Sequence, residues 1–70
     1  MHKYEIIIYW SNDDDAFVSE VPELAGCMAH GPTQDAALSN VREAIDLWIE
    51  TANEMGNPIP EPKGRRLQLA

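Results

Sequence analysis

The sequence lacks the covalent links that stabilise many very small proteins. Its 70 residues include a single cysteine, Cys27, so no intrachain disulfide can form, and this thiol is expected to be buried in the core. A chain of this length buries only about 60% of the surface that its unfolded form exposes. We therefore expect one domain, spanning residues 1–70, whose stability depends partly on a partner.

Signals for membrane insertion, secretion and metal binding are also missing. The apolar run at residues 6–10 is much shorter than the ~20 residues of a membrane span, and no signal peptide is recognisable, so a cytoplasmic location is expected. His2, Cys27 and His30 match no zinc-ligand spacing. The three aspartates 13–15 lie between two strand-like runs, where acidic residues commonly form a turn. We predict no metal and no other cofactor.

Basic residues are scarce, and their scarcity limits the possible partners. The formal net charge is −7, and Arg42 carries the only formal positive charge between Tyr4 and Pro60. The acidic residues in that stretch are Glu5, Asp13, Asp14, Asp15, Glu20, Glu23, Asp35, Glu43, Asp46, Glu50 and Glu54. Such a surface repels phosphate backbones and attracts basic proteins, so direct nucleic-acid binding by this domain is not expected. Acidity also keeps small proteins soluble, so charge alone does not decide the function.

Three strands are predicted in the first half of the chain. Alternating isoleucines and aromatic residues favour a first strand over Lys3–Trp10, and its large apolar groups on both faces favour a central position. A short polar turn joins it to a second strand, Ala16–Val21, in an antiparallel hairpin that Pro22 ends. A short third strand is predicted over Cys27–His30.

One long amphipathic helix is predicted over Gln34–Met55. Thr33 is suited to the N-cap position, and Gly56 followed by Pro58 is typical of a helix end. The apolar residues recur at spacings of three and four, as on one face of a helix. The residues of this stripe are Leu38, Val41, Ile45, Trp48, Ala52 and Met55.

The remaining residues form a proline-rich connector, 57–62, and a tail, 63–70, with a short fourth strand at Arg65–Leu69. The predicted fold is therefore α+β, with element order β-β-β-α-β and a mainly antiparallel sheet of order 3-2-1-4. One helix packs on one face of this sheet. The other face carries either Ile7 and Tyr9, or Ile6, Ile8 and Trp10. An apolar sheet face without a covering element implies a partner.

Several of these segments together resemble a known family. Residues 21–27 read Val-Pro-Glu-Leu-Ala-Gly-Cys, and Gly31-Pro32-Thr33 then leads into an alanine-rich helix. These features are similar to the N-terminal domain of HicB-like antitoxins, whose hallmark is a Val-Pro-Glu-Leu-Pro-Gly-Cys loop followed by Gly-x-Thr at the helix start. The resemblance covers residues 4–62, with Ala25 in place of the usual proline.

The resemblance implies a partial ribonuclease-H-like fold and a protein-binding role. HicB proteins bind and block HicA, a small basic toxin that cleaves mRNA, and the acidic composition suits such a partner. Many family members carry an additional DNA-binding domain that this sequence does not show. An orphan HicB-like oligomeric module, without toxin or DNA-binding domain, is the alternative.

Two surfaces are candidates for binding. The toxin-binding candidates are Glu20, Glu23, Glu43, Asp46, Leu47, Glu50 and Glu54. Ile7 and Tyr9 are the candidates for a homo-oligomer interface, a dimer or larger, although the reverse assignment of the two surfaces also remains open.

A metal-dependent nuclease is the catalytic alternative that the fold resemblance raises. That chemistry requires several carboxylates converging on metal ions. Glu43 and Asp46 lie on the far side of the helix from its apolar stripe, so they are not expected to meet Glu5 across the core. We therefore predict no catalytic residues.

Overall fold

The computed structural model describes residues 3–64. It contains three strands followed by one helix: β1 (Ile7–Ser11), β2 (Ala16–Glu20), β3 (Met28–Gly31) and α1 (Gln34–Met55). The strands form an antiparallel sheet in the order β1-β2-β3. The predicted α+β class, with three antiparallel strands and then one helix, is confirmed. The fourth strand at Arg65–Leu69 lies outside the described residues, so the full order 3-2-1-4 stays a prediction.

The helix begins and ends at the predicted residues because its signals are local. Thr33 has an extended backbone, and its hydroxyl accepts a hydrogen bond from the Ala36 N–H at 3.0 Å. Gly56 takes the left-handed conformation with φ of 69°, which a residue with a side chain rarely adopts. The Asn57 N–H then donates back to the Ala52 carbonyl at 2.9 Å.

The predicted apolar stripe is correct except at its end. Val41 and Ile45 are fully buried, but Met55 is 69% exposed. The helix has 22 residues and spans about 33 Å, at about 1.5 Å per residue. The strands have four or five residues and span about 17 Å at most. The last turn of α1 therefore extends past the sheet that would bury it.

The first strand begins at Ile7, so its predicted start at Lys3 is wrong. If the observed register of Ile7 opposite Glu20 continued, Glu5 would lie opposite Pro22. Proline has no N–H to donate, which ends the ladder. The Glu5 N–H instead donates to the Glu23 carboxylate at 3.0 Å.

Directly opposed residues of antiparallel strands share a face, and this decides which face of the sheet the helix covers. Ser19 lies opposite Ile8 and Ala29, and its hydroxyl donates to the Ala37 carbonyl of α1 at 2.9 Å. This face therefore packs against the helix. The opposite face, here called the outer sheet face, is formed by Ile7, Tyr9, Val18, Glu20, Met28 and His30.

The core lies between α1 and the sheet, together with the loop that follows β2. It is built from Val21, Leu24, Cys27, Val41 and Ile45. The helix approaches the sheet closely at Gly31, where an added Cβ would come within 2.8 Å of the Ala36 Cβ. Glycine is therefore required at this position, and the N-terminal half of α1 is seated on the end of β3.

Candidate protein-binding surfaces

The outer side of α1 carries the largest group of acidic candidates. We call Glu43, Asp46, Glu50 and Glu54 the acidic ridge. All four residues are exposed, as predicted, and α1 holds them on the side away from Ile45. Leu47 borders the acidic ridge and is 63% exposed. The structure therefore brings five of the seven toxin-binding candidates onto one continuous helical surface.

Glu20 lies elsewhere, on the outer sheet face. Its carboxylate accepts a hydrogen bond from the Tyr9 hydroxyl at 3.1 Å. This bond is the main cause that raises the pKa of Tyr9 above its ordinary value of 10.0, followed by desolvation and the negative charges of Glu20 and Asp14. Glu20 is thus adjacent to the oligomer candidates and separate from the acidic ridge.

Glu23 is engaged in holding two distant segments together. Its carboxylate accepts hydrogen bonds from the Glu5 N–H at 3.0 Å and from the Lys63 N–H at 2.8 Å. These backbone bonds lower the pKa of Glu23 below its ordinary value of 4.5, with the Glu5 bond as the larger cause. The Tyr4 hydroxyl also donates to the Pro60 carbonyl in the same region. Glu23 therefore links the N-terminal segment to Lys63, the first residue after the connector, and it does not join the acidic ridge.

The outer sheet face carries Ile7 and Tyr9, which decides between the two expectations for the uncovered face. Tyr9 is 42% exposed. Met28 was not among the predicted candidates, but it is 52% exposed on the same face, opposite Glu20. The register of β2 with β3, which the sequence pattern does not give, places it there. Val18 is only 5% exposed here because its cross-strand neighbours Tyr9 and His30 flank it.

A groove of about 510 Å³ lies between the loop–β3 junction and the C-terminal half of α1. We call it the edge groove. Residues 26–28 form one wall, and Ala44, Leu47, Trp48 and Thr51 form the other. The Trp48 indole N–H donates to the Ala25 carbonyl at 2.9 Å and fixes the end of this wall. Sequence reasoning did not find the groove, since no periodic pattern reports the separation between a helix and a strand.

Cys27 and the aspartates 13–15 lie in environments typical of structural residues. Cys27 is 4% exposed, as predicted, and burial raises its pKa above the ordinary 9.0. Residues 12–15 form the expected turn, in which the Asp14 N–H donates to the Ser11 hydroxyl at 3.3 Å. Within residues 3–64, no three His, Cys, Asp or Glu side chains are grouped so as to hold a metal ion. In the same range, no helix has the length and apolar character needed to cross a membrane.

Comparison with known proteins identifies the family. A family model described as the HicB-like antitoxin of bacterial toxin–antitoxin systems matches residues 4–67. The chain belongs to this family. The predicted resemblance, based on residues 21–27 and the helix start at Thr33, is thereby confirmed.

The HicB-like chain also has relatives in bacteria, archaea and a phage. It is 39% identical to a UPF0150 protein of Synechocystis, over 81% of this chain and 77% of that protein. It is 35% identical to a UPF0150 protein of Thermoplasma acidophilum, over 96% of both chains. It is also 35% identical to an uncharacterized 14.9 kDa protein of Haemophilus phage HP1, over 69% of this chain and 36% of the phage protein.

Proposed function

We propose that this HicB-like chain is an antitoxin that binds a small basic toxin of the HicA type, which cleaves mRNA, and neutralises it by covering its RNA-binding surface. The observation that carries the proposal is the acidic ridge on α1, on a chain that belongs to an antitoxin family. This role requires binding alone, with no catalytic residue, metal or cofactor.

The charge distribution supports a basic partner. Arg42 is the only basic residue of α1, whose outer side carries the acidic ridge. A one-signed surface raises the rate of encounter with an oppositely charged protein, and salt weakens that attraction. A toxin that binds RNA needs a basic surface of its own. Contact between the two surfaces would block the RNA site directly.

Leu47 supplies an apolar contact within this charged surface. Exposed charges contribute little to affinity by themselves, because water and salt screen them. Interface energy is instead concentrated in a few buried apolar or aromatic side chains. Leu47 is 63% exposed beside the acidic ridge, so a partner drawn by charge would bury it.

The outer sheet face is proposed as the surface for self-association. Its exposed apolar residues include Tyr9 and Met28, and Glu20 on this face accepts a hydrogen bond from the Tyr9 hydroxyl. Asp14, in the turn between β1 and β2, places a second carboxylate beside this face. Two copies would therefore meet here with fewer like charges than at the acidic ridge. The same meeting through the acidic ridge would bring eight carboxylates together, four from each copy.

The orphan module is the second candidate function, and the same outer sheet face favours it. An apolar face that pairs with a second copy would exist whether or not a toxin is present. The two candidates differ in one respect, since the orphan module has no basic protein partner. The test below therefore measures rescue and complex formation together.

Co-expression with a small basic protein of the HicA type, sought among the genes beside that of this chain, tests the proposal. We expect that this protein arrests growth when expressed alone, that the HicB-like chain restores growth, and that the two co-purify. Growth arrest without rescue, together with no co-purification, would eliminate the antitoxin function. A stable homo-oligomer without such a partner would then support the orphan module.

A further inference from the structure

Among residues 3–64, β3 pairs with β2 alone, so its other edge is free. This free edge and the edge groove lie side by side, and together they have the form of a binding site for an extended segment. The N-terminal half of α1 is seated on Gly31, where there is no space for a Cβ. The edge groove opens at the other end of β3, beside residues 26–28. One end of this strand is thus closed by the helix, while the other end is open.

The hydrogen-bond pattern shows which backbone groups face outward at this edge. The Val21 N–H donates to the Cys27 carbonyl at 3.0 Å, so this pair belongs to the bonded positions of the β2–β3 ladder. Bonded and non-bonded pairs alternate in antiparallel sheets. The N–H and C=O groups of Met28 and His30 therefore point away from β2. Consistently, the His30 carbonyl accepts a hydrogen bond from the Asn40 side-chain amide at 2.8 Å.

Because Asn40 already binds the His30 carbonyl, Met28 is the position of this edge where both outward backbone groups can pair with another strand. The outward N–H and C=O groups of Met28 are a donor and an acceptor ready to pair with another strand. The Met28 side chain is 52% exposed, and Met28 also forms part of the edge groove. A strand added here would place alternate side chains toward the groove.

The far wall of the groove merges with the acidic ridge. At ~100° per residue, Leu47 lies about 20° from Glu54 and about 40° from Glu43 around the helix axis. A segment that fills the groove therefore passes directly beside carboxylates. This arrangement favours an occupant that combines apolar and basic side chains. It disfavours a second copy of this chain, whose net charge is −7.

We propose that the basic protein partner adds an extended segment to the free edge of β3, inserts an apolar side chain between Met28 and Leu47, and places basic side chains against Glu43 and Glu54. This inference rests on the proposed function and specifies how the partner is held. Backbone pairing supplies affinity, the groove selects an apolar residue, and the acidic ridge selects the charge of its neighbours.

Two variants test the contacts, with a HicA-type basic protein in a nuclease-inactivated form as the probe. Met28→Pro removes the outward N–H, a change that an edge strand tolerates when the N–H faces solvent, and Met28→Ala is the matched control that keeps it. Leu47→Ser removes the apolar wall. Its control is Met55→Ser, since Met55 is also exposed but does not line the groove.

We expect Met28→Pro to weaken binding by about tenfold relative to Met28→Ala, and Leu47→Ser to weaken it by about tenfold or more, as measured by isothermal titration calorimetry. Met55→Ser should change the affinity by less than about twofold. Hydrogen exchange of the wild-type complex gives a readout that does not depend on any variant folding. The Met28 amide should become protected when the basic protein binds.

The outcomes separate this inference from the proposed function. If the wild type binds but Met28→Pro and Leu47→Ser bind equally well, and the Met28 amide stays unprotected, the edge site is wrong and the antitoxin function stands. If Met28→Pro instead dissolves a homo-oligomer that Met28→Ala leaves intact, the edge holds a second copy and the inference is overturned. If the wild type does not bind, the proposed function fails, and the edge site fails with it.

Discussion

The outer side of α1 and the outer sheet face, neither of them covered by another helix or strand of residues 3–64, differ sharply in chemistry. The helical side presents four carboxylates beside Leu47. The outer sheet face presents Ile7, Tyr9 and Met28, with the carboxylate of Glu20 and, beside it, that of Asp14. In the proposed function, this difference assigns two binding roles by charge. An acidic surface repels its own copies and attracts a basic partner, whereas a surface with little charge admits a second copy.

The largest expected effect comes from reversing charge on the acidic ridge. Glu50→Lys combined with Glu54→Lys should weaken binding of the basic protein by about a hundredfold, because it replaces attraction with repulsion at two positions. The oligomeric state should not change. Titration calorimetry and light scattering measure the two properties separately.

The control for this reversal is Asp13→Lys combined with Asp15→Asn, which changes the net charge by about +3, against about +4 for the acidic-ridge variant. These residues lie in the turn between β1 and β2, and Asp15 has a positive φ of 51° that asparagine also tolerates. The control lowers the negative charge without touching α1. Equal weakening by both double variants would show that only overall charge matters, and the division between the two surfaces would be lost.

A charge placed on the outer sheet face should have the opposite pattern. Ile7→Asp should shift the oligomer toward monomer by about tenfold or more in its dissociation constant, because it would bury a carboxylate near Glu20. Binding of the basic protein through α1 should persist. Sedimentation analysis measures the first effect, and an unchanged oligomer would contradict the assignment of this face.

A smaller effect is expected at high pH, through Tyr9. Its pKa is raised by the Glu20 hydrogen bond, so the protonated form is favoured in the folded state. The stability that this bond contributes is present below the ordinary pKa of 10.0 and is lost as the pH rises through the raised value. Tyr9→Phe should remove this pH dependence, and absorbance titration of tyrosinate with thermal melting checks it.

The smallest expected effect lies at acidic pH, where Glu23 titrates. Its lowered pKa means that the bonds to the Glu5 and Lys63 N–H groups contribute stability above the ordinary pKa of 4.5. That stability is lost as the pH falls through the lowered value. Glu23→Gln should therefore flatten the acid limb of the stability curve without affecting binding at α1, as monitored by circular dichroism.

The parts of the fold that depend on local signals were predictable from the sequence. The helix limits follow from the Thr33 hydroxyl and the backbone freedom of Gly56, and helical periodicity correctly placed Leu47 on the exposed side. The start of β1 was not predictable by the same means. It depends on Pro22, which meets Glu5 only once the hairpin register is fixed.

The candidate site was only partly predictable, for a related physical reason. Periodicity places the members of the acidic ridge together because they share one helix. It cannot show that Glu23 binds the Lys63 N–H, a contact between residues far apart in the chain. It also cannot show the edge groove, whose width depends on the close approach of α1 to β3 at Gly31.

The central claim is that the acidic ridge of this HicB-like chain binds a basic toxin. The most direct test is the affinity of the wild type for a small basic protein of the HicA type, measured at about 50 mM and about 500 mM salt. We predict a tight complex at low salt that weakens at least about tenfold at high salt. The absence of a complex at low salt, or an affinity independent of salt, would contradict the account.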